Sequence, residues 1–148
     1  MVSDYLRWKG LEEFLPTYQC RRKWSDRVKV VEMPLFPGYL FCRFDESDRV
    51  PVLQAPGVVH IVGLGGKPEP IPEEQVEAVR RLAASGLPAS PCPYLREGMK
   101  VRIRSGAMTG VEGQLRKIKN QFCFVLSVHM LQRSVLVEVD AETVEELR

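Results

Sequence analysis

Five cations crowd into nine positions. Arg21, Arg22, Lys23, Arg27 and Lys29 stand within residues 21–29, where Asp26 is the only acid. Positive charge at this density suits nucleic-acid phosphate, which it neutralises while releasing bound counter-ions. Trp24 sits inside the cluster, and its indole can either stack on an unpaired base or tuck beneath a solvated loop. Other reactive side chains are sparse. His60 and His129 are the two imidazoles of the chain, and neither has a nucleophile or a paired acid close in sequence. Cys20, Cys42, Cys92 and Cys123 are scattered with no CxxC pair, so no metal site is expected. Cys42 and Cys123 lie in apolar runs, where a thiol serves as a small hydrophobe. Gly63-Leu64-Gly65-Gly66-Lys67 has the residue types of a phosphate loop. It lacks the Walker spacing and the hydroxyl residue after lysine, and reads as a hairpin turn. The chain is therefore expected to be no enzyme, with no cofactor and no small-molecule substrate.

The elements that must position the cationic cluster follow from composition and periodicity. With 148 residues, 45% hydrophobic and 27% charged, the chain is long enough for one ordinary domain or two small ones and too apolar for disorder. No run approaches the ~18 apolar residues of a membrane span, and the N-terminus has no signal-peptide core; a cytoplasmic protein without membrane contact is expected. The net charge of +2 says little about partners, because residues 1–95 carry 12 basic and 12 acidic side chains and residues 96–148 carry 9 and 7. A stretch rich in proline and small residues, Ala83 to Pro93, reads as a linker. It divides the chain into an N-terminal domain over 1–84, a linker over 85–95 and a C-terminal domain over 96–148.

The N-terminal part mixes helix and strand. Ser3 can cap a short helix that ends at Gly10, and Lys29 to Glu32, Gly38 to Phe44 and Val58 to Val62 read as strands. In the second of these, Leu40, Cys42 and Phe44 share one face and Tyr39, Phe41 and Arg43 the other, so each face is expected to meet something. Pro72-Glu73-Glu74 opens a helix whose Val76, Val79, Leu82 and Ala83 form an apolar stripe. The C-terminal part is almost all β: Lys100 to Arg104, Leu115 to Ile118, Phe122 to Val128 and Val135 to Val139 are strands. Gly106, Gly110 and Gly113 fall where turns or bulges would bend them into a small barrel.

Two segments carry a resemblance. Pro34-Leu35-Phe36-Pro37-Gly38-Tyr39-Leu40-Phe41 is similar to the N-terminal signature of the NusG/RfaH family. The similarity continues through Val52-Leu53-Gln54-Ala55-Pro56-Gly57-Val58, Ile61-Val62-Gly63 and Pro70-Ile71-Pro72. Gly98 to Ile103 and Ser105 to Gly113 resemble a KOW motif. The resemblance implies an α+β N-terminal domain, an antiparallel sheet flanked by helices, joined by a linker to an SH3-like KOW barrel. It implies a transcription elongation and antitermination factor. The N-terminal domain would dock on the clamp helices of the RNA polymerase β′ subunit, with Phe36, Pro37 and Tyr39 as contacts. From the residues alone, Phe36 and Tyr39 can equally fill a core where a strand begins.

Arg21, Arg22, Lys23, Trp24, Arg27 and Lys29, expected around a strand-connecting loop, suit by their charge a partner with exposed phosphate near the transcription bubble, such as upstream duplex DNA or the non-template strand. The resemblance assigns Met108, Val111, Met130, Leu131 and Arg133 to a second partner, ribosomal protein NusE or the termination factor Rho. These apolar residues can also be barrel core or loop packing. Specialised RfaH-like members read a DNA element through an Arg and a hydroxyl residue, and Ala55 and Pro56 at those places cannot make such contacts. The compact N-terminal part leans towards that specialised branch all the same. Family members begin with a Trp-Tyr strand before the first helix, so the recorded start is expected to lie inside a longer gene. A ribosome-associated KOW protein that binds structured RNA is the competing expectation.

Overall fold

The computed structural model describes residues 1–24, 26–64, 67–95 and 98–147, with the main chain alone of Trp24. The turn expected at Gly65 and Gly66, and any stacking by the Trp24 indole, lie outside the described residues. In chain order the elements are α1 (Val2–Trp8), β1 (Glu12–Phe14), β2 (Thr17–Trp24), β3 (Arg27–Pro34) and β4 (Phe41–Arg43). Then come α2 (Arg49–Leu53), β5 (Gly63–Leu64), β6 (Lys67–Pro68), α3 (Glu73–Ser85) and β7 (Ala89–Pro93). The chain closes with β8 (Met99–Ile103), β9 (Glu112–Ile118), β10 (Gln121–Val128), β11 (Arg133–Glu138) and β12 (Val144–Glu146). Two compact units emerge: Met1–Leu15 with Gly38–Ile71, and Pro16–Pro37 with Pro72–Arg148.

The first unit is small. α1 presents Val2, Tyr5 and Leu6 at i, i+3 and i+4, and these pack with Val52 and Ala55 as its core. Gly10, at φ +79°, ends the helix in a conformation that costs other residues more. β1 and β4 pair antiparallel, and Phe14 stacks on Phe41 with ring centroids 5.9 Å apart. Both faces of 39–44 are covered as expected: Leu40, Cys42 and Phe44 join the core and Phe41 meets Phe14. Burial pushes the Cys42 thiol up, in keeping with a packing role. Val58 to Val62 is not a strand; Val58 and Ile61 still reach the core, so apolar alternation there served packing without a partner strand. Ser3 does not cap α1 but donates its hydroxyl to the Glu13 carboxylate. Arg7 donates to the same carboxylate from Nε at 3.0 Å and Nη2 at 2.7 Å.

The second unit is built on a six-stranded antiparallel sheet of order β12-β8-β9-β10-β11-β7. Its core holds Val101, Ile103, Phe124, Val125, Val128, Val135 and Val137, all buried. Consecutive residues Cys123 to Leu126 are buried, so β10 is covered on both faces, and α3 packs against it. Ala78, Val79 and Leu82 are the buried residues of α3; Ala83, expected on that stripe, is exposed. The expected C-terminal strands are present, each slightly displaced or extended. The open strand order gives the sheet two edges among the described residues, so it is described as a sheet and not as a closed barrel.

The segment expected as a linker differs most. Ala89–Pro93 is a strand, paired with β11 from Ala89↔Val137 to Pro93↔Arg133. Glu138 donates its N–H to the Pro88 carbonyl at 3.3 Å, which turns the main chain of residues 88, 90 and 92 towards β11. Pro91 and Pro93 therefore face the open edge, where a missing N–H costs nothing and discourages another strand from adding. Beyond it, the buried Ser134 hydroxyl is satisfied by Ser127 at 2.7 Å and by the Leu95 N–H at 3.0 Å.

Gly113 has ordinary backbone dihedrals, and its requirement is space. A Cβ there would stand 2.5 Å from both Phe124 Cζ and the Val125 carbonyl oxygen. Gly113→Ala should destabilise the second unit by about 1–3 kcal/mol in denaturant unfolding, because overpacking displaces the buried Phe124. Glu13 yields a pH prediction for the first unit. Burial alone would raise its carboxyl, but hydrogen bonds from Ser3 and Arg7 together with the Arg7 charge hold it below its ordinary value near 4.5. A depressed carboxyl stabilises the fold above that ordinary value, and the contribution disappears as pH falls through the folded value. Wild type should lose stability below about pH 4.5 more steeply than Glu13→Gln, as acid titrations followed by circular dichroism will show.

Candidate nucleic-acid interface and partner surfaces

The cationic cluster is carried on an eight-by-eight-residue antiparallel ribbon, β2 paired with β3 from Thr17↔Pro34 to Trp24↔Arg27. Sequence periodicity pointed only to Lys29–Glu32, a part of it. An isolated two-stranded ribbon is marginal in water, so its base must be anchored. Pro16, Leu35 and Phe36 are buried there, and the Leu35 N–H donates to the Pro16 carbonyl at 2.9 Å. Residues directly opposite each other share a face. One face runs Tyr18, Met33, Cys20 and Val31, all half-buried, then Arg22, Lys29 and Arg27, all exposed. The other face begins with Thr17 and Pro34, both half-buried, and then carries Gln19, Glu32, Arg21, Val30, Lys23 and Val28, every one exposed.

Charge is concentrated at the free end. Arg21, Arg22, Lys23, Arg27 and Lys29 are all exposed, and none is ion-paired to a carboxylate among the described residues. Arg22 lies directly opposite Lys29. Like charges across a strand pair are destabilising, and an anionic partner between them removes the penalty. The five cations of the sequence-expected cluster are thus brought together, together with the main chain of Trp24.

The other expected residues are divided. Phe36 is 1% exposed and part of the second unit's buried set, whereas Pro37 of that unit is exposed. Tyr39 is half-buried in the first unit. Met108, Val111 and Leu131 are buried in the second unit, Met130 is half-buried and Arg133 is exposed. Two α3 side chains reach the loops that hold these residues. Arg81 Nη2 donates to the Ala107 carbonyl at 2.8 Å, and the His129 N–H donates to Gln75 Oε1 at 3.3 Å.

One surface escaped the sequence reading. Pro37, Pro91, Cys92, Pro93, Tyr94 and Arg133 line an open cavity of about 460 Å³. The Tyr94 hydroxyl lies 2.6 Å from His129 Nδ1, so one nitrogen of that imidazole is occupied. Burial pushes the Cys92 thiol up to about 11, which keeps it protonated and poorly nucleophilic near neutral pH. Pro91 and Pro93 are what suggested a linker, and only the pairing of β7 reveals them as a wall.

The chain as a whole is similar in sequence to known proteins. A family model described as "Transcription termination factor nusG" matches residues 1–80. The "Transcription termination/antitermination protein NusG" of Lactococcus lactis subsp. lactis is 30% identical over 146 residues, covering 95% of this chain and 77% of that protein. The protein of the same description from Thermus thermophilus is 32% identical over 128 residues, 77% of this chain and 68% of its own length. That of Streptococcus pyogenes serotype M1 is 28% identical over 138 residues, 90% and 76%.

The like-charge pair separates stability from binding. Lys29→Glu places a carboxylate opposite Arg22 and should stabilise the ribbon by about 0.2–1 kcal/mol. The same variant should weaken binding to a polyanion such as heparin, measured at fixed salt, because it removes one cation and adds an anion beside the others.

Proposed function

From the premise that this chain belongs to the NusG family, we propose that it works on transcribing RNA polymerase, gripping nucleic acid through the β2–β3 ribbon. At the level of the family it is a transcription termination/antitermination factor and not an enzyme. The observation that supports the finer reading is the ribbon tip: five exposed cations that no described carboxylate neutralises, at the end of an element anchored at its base. Such a tip calls for a polyanion, and DNA at the edge of the transcription bubble supplies one.

Polymerase is engaged, in this reading, through the segment Met33–Phe44, with the β′ clamp helices as the docking partner. Pro37 is exposed and Tyr39 half-exposed, so these two side chains offer contact area. Phe36 supports the segment from within; truncating so buried a phenylalanine costs about 3–5 kcal/mol, and its loss would confound any binding test. The C-terminal sheet acts as the KOW domain, whose partner is ribosomal protein NusE or Rho. Arg133 and Met130 are the members of the expected set with surface to offer, and Met108, Val111 and Leu131 shape the loops beneath. Ala55 is buried in the first unit's core and does not reach out to a base, so a specialised, RfaH-like role would not read DNA through that position.

Co-purification of the whole chain with core RNA polymerase tests the proposal. Wild type should be retained, and Pro37→Ser combined with Tyr39→Ala should lower retention at least tenfold while thermal unfolding of the second unit stays near wild type. Retention of wild type by ribosomal RNA and not by core polymerase would overturn it in favour of a ribosome-associated role.

A further inference from the structure

The two faces of the ribbon are not equivalent, and the difference specifies the form of nucleic acid it takes. At its base, one face is half-buried through Tyr18, Cys20, Val31 and Met33. The other face is half-buried only at its first pair, Thr17 and Pro34, and is exposed from there to the tip, carrying Gln19, Arg21, Lys23, Val28, Val30 and Glu32. Val28 is 64% and Val30 56% exposed, side by side with Lys23 and Arg21 across the strand pair. Simple phosphate neutralisation has no use for two bare valines between cations. Base edges have a use for all of these side chains. Arginine and lysine donate to guanine O6 and N7, glutamine pairs with adenine, glutamate accepts from cytosine N4, and aliphatic groups cover the thymine methyl.

We propose that this free face lies in the major groove of duplex DNA and reads base edges, with Val28 and Val30 against thymine methyl groups. The proposal rests on the reading of the ribbon as the nucleic-acid element and adds to it the duplex form, the groove and the sequence preference. Dimensions agree. A two-stranded ribbon is one of the elements a major groove about 12 Å wide admits. The three cross-strand pairs of the free face, Gln19↔Glu32, Arg21↔Val30 and Lys23↔Val28, span about 13 Å at ~3.3 Å per residue, or roughly four base pairs. Arg22, Arg27 and Lys29 project from the opposite side near the tip, where long side chains reach the phosphates of the groove walls. The cations supply affinity and salt dependence, and the valines supply preference.

The test uses the whole chain and fluorescence anisotropy with a labelled A·T-rich duplex. A matched duplex has deoxyuridine in place of every thymidine, which removes only the major-groove methyl, and the corresponding single strands are measured alongside. Wild type should bind the thymine duplex at least threefold more tightly than the deoxyuridine duplex, and more tightly than either single strand. Val28→Ser with Val30→Ser should erase the thymine preference while leaving the salt slope unchanged, which also shows that the ribbon still stands. Arg22→Gln with Lys29→Gln should do the reverse, reducing the slope by about two and keeping the preference. Equal affinity of wild type for the two duplexes, or binding to single strands alone, would overturn the groove assignment and leave the ribbon a nucleic-acid element. Absence of binding to every nucleic acid would overturn the underlying reading as well.

Discussion

Strand β10 must be buried on both faces, and the second unit is organised around that requirement. Cys123, Phe124, Val125 and Leu126 are consecutive buried residues, so neither face of the strand can meet water. Neighbouring strands satisfy its main chain, with β9 and β11 on its two sides, but its side chains need layers above and below. α3 supplies cover with Ala78, Val79 and Leu82, and Gly113 lets Phe124 approach the backbone of β9. A C-terminal domain of about fifty residues has little core of its own, and recruiting a helix is a direct way to enlarge it. That is why α3 groups with the C-terminal sheet.

Two consequences follow for the surfaces. With α3 seated, Arg81 and Gln75 hydrogen-bond to the loops of Ala107 and His129, and Met108, Val111 and Leu131 are buried. The ribbon shows the opposite economy. Its base is buried at Pro16, Leu35 and Phe36, whereas its free end places like charges opposite each other with no ion pair to a carboxylate among the described residues. Burial is concentrated at one end and uncompensated charge at the other. The anchoring explains how a marginal two-stranded element can carry five cations and still hold its register.

Much of this was legible in the sequence. The α3 stripe, the Gly10 stop and the alternation in β8 follow local periodicity, and local rules decide them. The cationic cluster was visible as composition. Its ribbon was not, because Gln19, Arg21, Arg22 and Lys23 dilute the apolar alternation of β2 and leave a solvent-facing strand that looks like a loop. β7 was missed for a related reason: Pro91 and Pro93 signal a linker unless the strand lies at an edge with those residues turned outward, and edge position is a tertiary fact. Val58 to Val62 erred the other way, since alternating apolar residues pack a core equally well in irregular backbone. Phe36, Met108, Val111 and Leu131 carry residue types shared by cores and docking patches, so burial alone separates the two uses. The NusG resemblance was the most informative single signal, and the match over residues 1–80 agrees with it.

In the proposed function the ribbon tip touches DNA while the chain sits on polymerase. Photo-crosslinking from Lys23→benzoylphenylalanine in an elongation complex assembled on core RNA polymerase measures that contact directly. The expected result is a crosslink to DNA beside the transcription bubble that depends on the polymerase being present. Crosslinks confined to polymerase subunits or nascent RNA, with none to DNA, would contradict it.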